Sequence, residues 1–201
     1  MSSILIRRAN MVSGGNSPRL PAGYTELAYL ESTGTQRLDI GFSGNANFEL
    51  TAQSSVVPSS NNLLLCSTNN GTAGTWIGSA SNGKWGVGNS SSNYINISVT
   101  TKAEIVVNFV NGEVSGTVNG VSFSRTATAT TNGQWSLFQT NGGRYPFSGK
   151  VWGLKGYQNN VLVAELVPAM RDSDSVVGMY DLVSNTFLTN AGSGTFSYGT
   201  L

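Results

Sequence analysis

The stretch AEIVVNFVNGEVSGTVNGVSFSR, residues 103–125, decides the fold. It contains Asn111-Gly112 and Asn119-Gly120, the pairs that a type I′ hairpin turn calls for, because both of its central positions need positive φ. Read as two-residue loops, the turns set Phe109 against Val114, Val107 against Gly116 and Ile105 against Val118. The second turn then sets Val118 against Val121 and Gly116 against Phe123. Ile105, Val107, Phe109, Val114, Val118, Val121 and Phe123 share one face, while Asn108, Glu113, Ser115, Thr117, Asn119 and Ser122 share the other. Two independent turns thus yield one apolar face, which predicts a three-stranded meander with a dry side and a wet side.

Two further hairpins extend the pattern. Lys150–Tyr157 and Val161–Val167 flank a turn at Gln158-Asn159-Asn160-Val161. Strict alternation places Val151, Tyr157, Leu162, Ala164 and Leu166 on one face and Trp152, Leu154, Val163 and Val167 on the other. Apolar residues on both faces predict a central hairpin rather than an edge. Thr75–Gly88 turns near Ser81-Asn82-Gly83. A two-residue loop there puts Trp76 and Trp85 on one face; a three-residue loop puts them on opposite faces. Other strands are expected at Leu27–Glu31, Gln36–Phe42, Phe48–Gln53, Asn62–Cys66, Tyr94–Val99, Gln134–Gln139, Gly178–Leu182, Thr186–Leu188 and Thr195–Ser197. No long segment carries the helical period. Many short strands at even spacing predict an all-β, two-sheet antiparallel β-sandwich over residues 20–201.

Composition narrows the function. Only 10% of the 201 residues are charged, against about 25% in an average domain. Net charge is +1, and no cluster of Lys and Arg is large enough for a phosphate backbone, so nucleic acid is not an expected partner. No apolar run reaches about 18 residues, so membrane insertion is not expected. Cys66 is the one cysteine and lies in the apolar run Leu63–Cys66, which reads as a buried thiol.

Residues 1–19 differ from the rest and read as an arm. An apolar-basic peptide, Ser2–Met11, whose docking residues are Ile4, Leu5, Ile6, Arg7 and Arg8, is followed by a Ser13-Gly14-Gly15-Asn16-Ser17-Pro18 linker. Such a linker is flexible. The arm is either an unstructured tail or a peptide that orders when it docks on a partner.

Catalytic chemistry finds little material. With no His in the chain, Ser-His-Asp and Cys-His catalysis and His-based metal sites are absent. A glycosidase needs two carboxylates flanking the scissile bond, and no strand carries an alternating acidic run. The chain is therefore expected to be non-enzymatic. Arg171-Asp172-Ser173-Asp174 is the densest charged cluster. It reads as a solvated loop, with a calcium site through Asp172 and Asp174 as the alternative. Sugar binding needs only aromatic faces and amides. Trp76, Trp85, Tyr94, Trp135 and Tyr145 with Asn69, Asn70, Asn82, Asn89 and Asn93 are the material for it. Trp135 and Trp152 read as core. Trp76 and Trp85 lie beside Gly/Ser/Asn loops, so the glycan-binding set is drawn as Trp76, Trp85, Tyr94, Asn82 and Asn89.

The segment Leu20-Pro21-Ala22-Gly23-Tyr24-Thr25-Glu26-Leu27-Ala28-Tyr29-Leu30-Glu31-Ser32-Thr33-Gly34-Thr35-Gln36 resembles the opening of laminin-G-like, concanavalin A-like domains. Such domains are frequent in phage structural and tail-associated proteins and in gut bacterial surface proteins. Phe147–Val151, Leu166-Val167-Pro168, Val177–Phe187 and Gly192–Phe196 resemble the close of the same family. Asp39-Ile40-Gly41-Phe42 departs from the Asp-Thr-Gly-Phe run usual there, and the middle, about residues 55–145, matches only in general character. The resemblance implies a concanavalin A-like jelly roll whose first and last strands pack together. It also implies a virion accessory protein, a capsid or tail decoration or host-adhesion module on the phage surface. The arm would hold it to other virion proteins, as a homo-oligomer. The alternative is a carbohydrate-binding module of a gut bacterium, on the cell surface or secreted; a glycoside hydrolase is the third reading. No cofactor other than calcium is expected.

Overall fold

Residues 19–67, 75–88, 94–110, 113–126 and 133–201 are described by the computed structural model. The arm residues Ile4, Leu5, Ile6, Arg7 and Arg8, the turn at Asn111-Gly112, and Asn69, Asn70, Asn89 and Asn93 lie outside them. The described residues form strands and no helix. In chain order these are β1 (Tyr24–Glu26), β2 (Tyr29–Thr33), β3 (Leu38–Ser43), β4 (Ala46–Ser54), β5 (Asn62–Cys66) and β6 (Trp76–Ser79). Then come β7 (Lys84–Val87), β8 (Tyr94–Ser98), β9 (Ala103–Val110), β10 (Glu113–Val118), β11 (Val121–Thr126) and β12 (Gln134–Leu137). The last five are β13 (Ser148–Gln158), β14 (Val161–Arg171), β15 (Val176–Asp181), β16 (Thr186–Leu188) and β17 (Ser197–Gly199).

The strands make two antiparallel sheets, a β-sandwich. An 11-stranded sheet runs β11-β10-β9-β4-β13-β14-β15-β16, with β1, β2 and β17 joined to it. A 6-stranded sheet runs β3-β12-β5-β6-β7-β8. The meander takes the register expected of it: Phe109 pairs with Val114, Val107 with Gly116, and Gly116 with Phe123. Asn119 and Gly120 have φ of 48° and 79°, as a type I′ turn requires. Six of the seven apolar-face residues are buried. Val121 is 44% exposed because it opens the edge strand β11, beyond the reach of the opposing sheet.

The β13–β14 hairpin is central, and Asn159 and Asn160 turn it with φ of 50° and 64°. Its faces differ from strict alternation. The pairing with β4 shifts between Val151 and Gly153, a β-bulge, so Trp152 and Gly153 do not alternate. Val151 and Leu154 both face the core, Leu154 joins its partner Leu166 there, and Trp152 turns outward. The bulge also marks a change of neighbour: β13 pairs with β2 before it and with β14 after it.

The segments that resemble the family ends are stitched together. β17 pairs with β2, and β1 pairs with β14. Gln36 is buried between them. Its Oε1 accepts from Ser32 Oγ at 3.0 Å and Thr33 N at 2.8 Å, and its Nε2 donates to the carbonyl of Thr195 at 2.9 Å. Asp181, also buried, accepts from Glu165 N, Val183 N and Ser184 Oγ. A buried donor stripped of its acceptor costs about 1–3 kcal/mol. Gln36→Leu is therefore expected to destabilise the fold by about 3 kcal/mol, read as a lower urea midpoint with an unchanged slope. An unchanged midpoint would remove this stitch from the account.

Candidate functional site

The outer face of the larger sheet carries a groove, and cross-strand register builds it. In one row Asn108, Asn47 and Tyr157 stand side by side on β9, β4 and β13. In the next row stand Val106, Glu49, Lys155 and Glu165, the last on β14. In a third, Glu104 pairs with Thr51 and Thr51 with Gly153. These are the positions whose neighbours in sequence point into the core, so the pleat forces them outward. Trp152 joins them through the bulge.

The groove has two connected parts. A depression of about 400 Å³ is lined by Glu49, Glu104, Val106, Trp152, Lys155 and Glu165, with Arg19 at its margin. Glu49 and Val106 also line a second depression of about 270 Å³, with Asn47, Asn108, Tyr157 and Asn160. Lys155 Nζ lies 3.5 Å from Glu165. Arg19 pairs with Glu26, and the next residue, Leu20, packs with Val167, Ala169 and Tyr180 on this same face. The Tyr157 phenol is held above its usual range, first by burial and then by the carboxylates of Glu49 and Glu165. Trp152 is half-buried. Lys102 Nζ sits 4.3 Å from its ring centroid and the Tyr29 ring 5.5 Å away. One flank of the indole is thereby taken, whereas Tyr157 sits among Asn47, Asn108 and Asn160, the polar end of the groove.

Of the glycan-binding set drawn from sequence, Asn89 lies outside the described residues, Trp76 and Tyr94 share the outer face of the smaller sheet on either side of Gly86, and Trp85 turns away from them. The loop at Ser81-Asn82-Gly83 has three residues: Ala80 N bonds Lys84 O, and Ser79 pairs with Trp85. That parity sends Trp76 and Trp85 to opposite faces. Trp85 is 0% exposed, near-parallel to Phe147 in the core, and has no ring face to offer a sugar. Trp76 is 6% exposed and packs with Leu63 and Cys66 on the outer side of the smaller sheet. Tyr94 opens the edge strand β8, and Asn82 is exposed at the loop tip, where its Oδ1 accepts from Lys84 N. Trp135 is core, as expected. Trp152 is not; it lines the groove instead. The groove's residues come from β4, β9 and the β13–β14 hairpin, three stretches distant in sequence, which is why they were missed. The available signal was Gly153, since a glycine within a strand marks a bulge.

At the β14–β15 turn, Arg171 donates to both oxygens of Asp174 at 3.0 and 2.7 Å. Its guanidinium holds the Asp174 carboxyl below the usual carboxylate range. Asp172 accepts from Thr25 Oγ1 at 2.7 Å. In this arrangement both Asp174 oxygens face the guanidinium. Among the described residues no group of three or more His, Cys, Asp or Glu gathers.

No protein-family model matches the chain, and no curated protein matches it. Solved structures do. A native heptameric SAP-like pentraxin from Limulus polyphemus superposes with a TM-score of 0.50 at 11% identity, over 88% of this chain and 94% of that one. Trypanosoma rangeli sialidase, alone and with the inhibitor DANA, gives 0.43 and 0.42 at 14% and 13% identity. Those matches cover 72% and 67% of this chain but only 32% and 30% of the sialidase. The pentraxin likeness shows the fold, a two-sheet antiparallel jelly-roll sandwich. At that identity it carries no ligand across.

Proposed function

We propose that the chain is a non-enzymatic glycan-binding module carried on a phage particle, with the groove of the larger sheet as its working face. The observation that supports this most is the setting of Tyr157, an aromatic ring among Asn47, Asn108 and Asn160 at one end of a groove. A ring face takes the C–H side of a pyranose, and amides donate to and accept from its hydroxyls. Binding without hydrolysis fits the acids present. Glu165 is paired with Lys155 at 3.5 Å. A glycosidase needs two carboxyl groups free to flank the scissile bond, and here one of the groove's acids is tied to a cation. Reducing-sugar release from a glycan panel would revive the hydrolase reading.

The particle context rests on the family resemblance of residues 20–36 and 147–196. The proposed attachment to other virion proteins is the arm with Ile4, Leu5, Ile6, Arg7 and Arg8. Deleting residues 1–18 keeps Arg19 on Glu26 and Leu20 in its cluster, so it removes the arm alone. Mass spectrometry of purified virions against host membrane fractions tests the location, and a cell-surface module would appear in the latter.

For the groove itself, Tyr157→Ala is expected to weaken glycan binding by about tenfold or more, roughly the 1–2 kcal/mol of a lost aromatic contact. Tyr94→Ala, on the other sheet, should leave it unchanged. Titration calorimetry with a glycan found on an array checks both. Equal affinity in parent and Tyr157→Ala would move the site elsewhere.

A further inference from the structure

We infer that the groove takes an uncharged glycan and turns acidic ones away, an inference that rests on reading this groove as the glycan site. The argument is one of charge. Along the row Glu49, Lys155 and Glu165, one ammonium meets two carboxylates, and it lies 3.5 Å from Glu165. Glu104 adds a third carboxylate to the lining. The register puts Glu49 opposite Val106 and Glu104 opposite Thr51, so the two occupy diagonal positions on β4 and β9, within reach of one ligand.

Two further cations stand near the groove. Arg19 is held by Glu26, and Lys102 lies over the Trp152 ring. Glu49 faces Lys155 across the β4–β13 ladder, and that one ammonium is shared with Glu165. Among the described residues, the Glu104 side chain has no hydrogen-bond or ion-pair partner. A sugar carboxylate or sulfate entering the groove would meet an excess of negative charge, since Glu49, Glu104 and Glu165 outnumber the Lys155 and Lys102 ammonium groups and Arg19 is paired with Glu26, all well inside the screening length of physiological salt. A neutral sugar meets the opposite situation. Its hydroxyls are donors, and ionised carboxylates are acceptors only. Glu49 and Glu104 therefore reward hydroxyl groups and repel anions, which makes them the residues that set specificity.

The test is an array of neutral glycans, each beside its acidic derivative. Suitable pairs are lactose and N-acetyllactosamine with their sialylated and sulfated forms, and xylo-oligosaccharides with and without glucuronic acid. Binding is expected among the neutral members, with each acidic derivative weaker by about tenfold or more in low salt. The gap should shrink in concentrated sodium chloride and narrow in Glu104→Gln. The Tyr157→Ala variant ties the bound glycan to this groove. Equal or better binding of the acidic forms overturns the inference and leaves the groove as a glycan site. Failure to bind any member overturns the glycan reading itself, and this inference with it.

Discussion

Gly149→Ala is expected to abolish the folded state: little soluble protein, and no cooperative melt in what is recovered. Gly149 lies in β13 with β4 on one side and β2 on the other, paired to Ser54 and Ser32. A Cβ there would stand 2.2 Å from the carbonyl oxygen of Gln53 and 2.9 Å from the Ser54 Cα. It would also stand 2.5 Å from Phe147 Cε1. Phe147 is wholly buried, and the first two atoms belong to the backbone of a central strand. None can rotate away, so β13 or β4 must move. Clashes of this kind belong to the class of single substitutions costing above about 4 kcal/mol, against a total stability of about 5–15 kcal/mol. A variant that melts within a few degrees of the parent would show that the two strands are less closely held than the geometry implies.

Trp135→Ala should be the most damaging core truncation, at about 4 kcal/mol. Trp135 is wholly buried on β12 of the smaller sheet. Its ring lies 4.8 Å from Phe48 and 4.7 Å from Phe109, centroid to centroid. Both partners belong to the larger sheet, so this trio clasps the two layers. Its Nε1 also donates to the carbonyl of Gly44 at 3.0 Å, at the turn between β3 and β4. Alanine leaves a large void and strips an acceptor at the same time. For a domain of this size the loss corresponds to a melting point lower by about 10 °C. Trp135→Phe should fall between, since it restores most of the volume but not the donor. A shift of only a degree or two for Trp135→Ala would mean that the layers close over the gap.

What could be read in advance followed from what is local. The meander needed only two Asn-Gly pairs and the period of two, and its register held pair by pair. The double-sided apolar character of residues 150–167 placed that hairpin at the centre of its sheet. The face of Trp152 could not be read the same way, because one extra residue at the bulge reverses every side chain beyond it. Trp76 and Trp85 turned on a single residue of loop length. The groove lay further out of reach. Asn47, Asn108 and Tyr157 become neighbours only because β4 inserts between β9 and β13, a pairing that no local pattern encodes. The family-like ends were visible as motifs, but the work of Gln36, Asp181 and Gly149 within them became clear only from their partners.

The closure of β2 by β17 has a consequence for how the molecule is made. Glu31 emerges from the ribosome long before Ser197, its partner across that ladder. At about 5–20 residues per second, the delay is on the order of ten seconds or more. Throughout it the nascent chain holds Leu30 and its neighbours without their final cover, and long-range strand pairing is slow even afterwards. The β2 edge of this domain therefore stays unpaired on that side until Ser197 has been made.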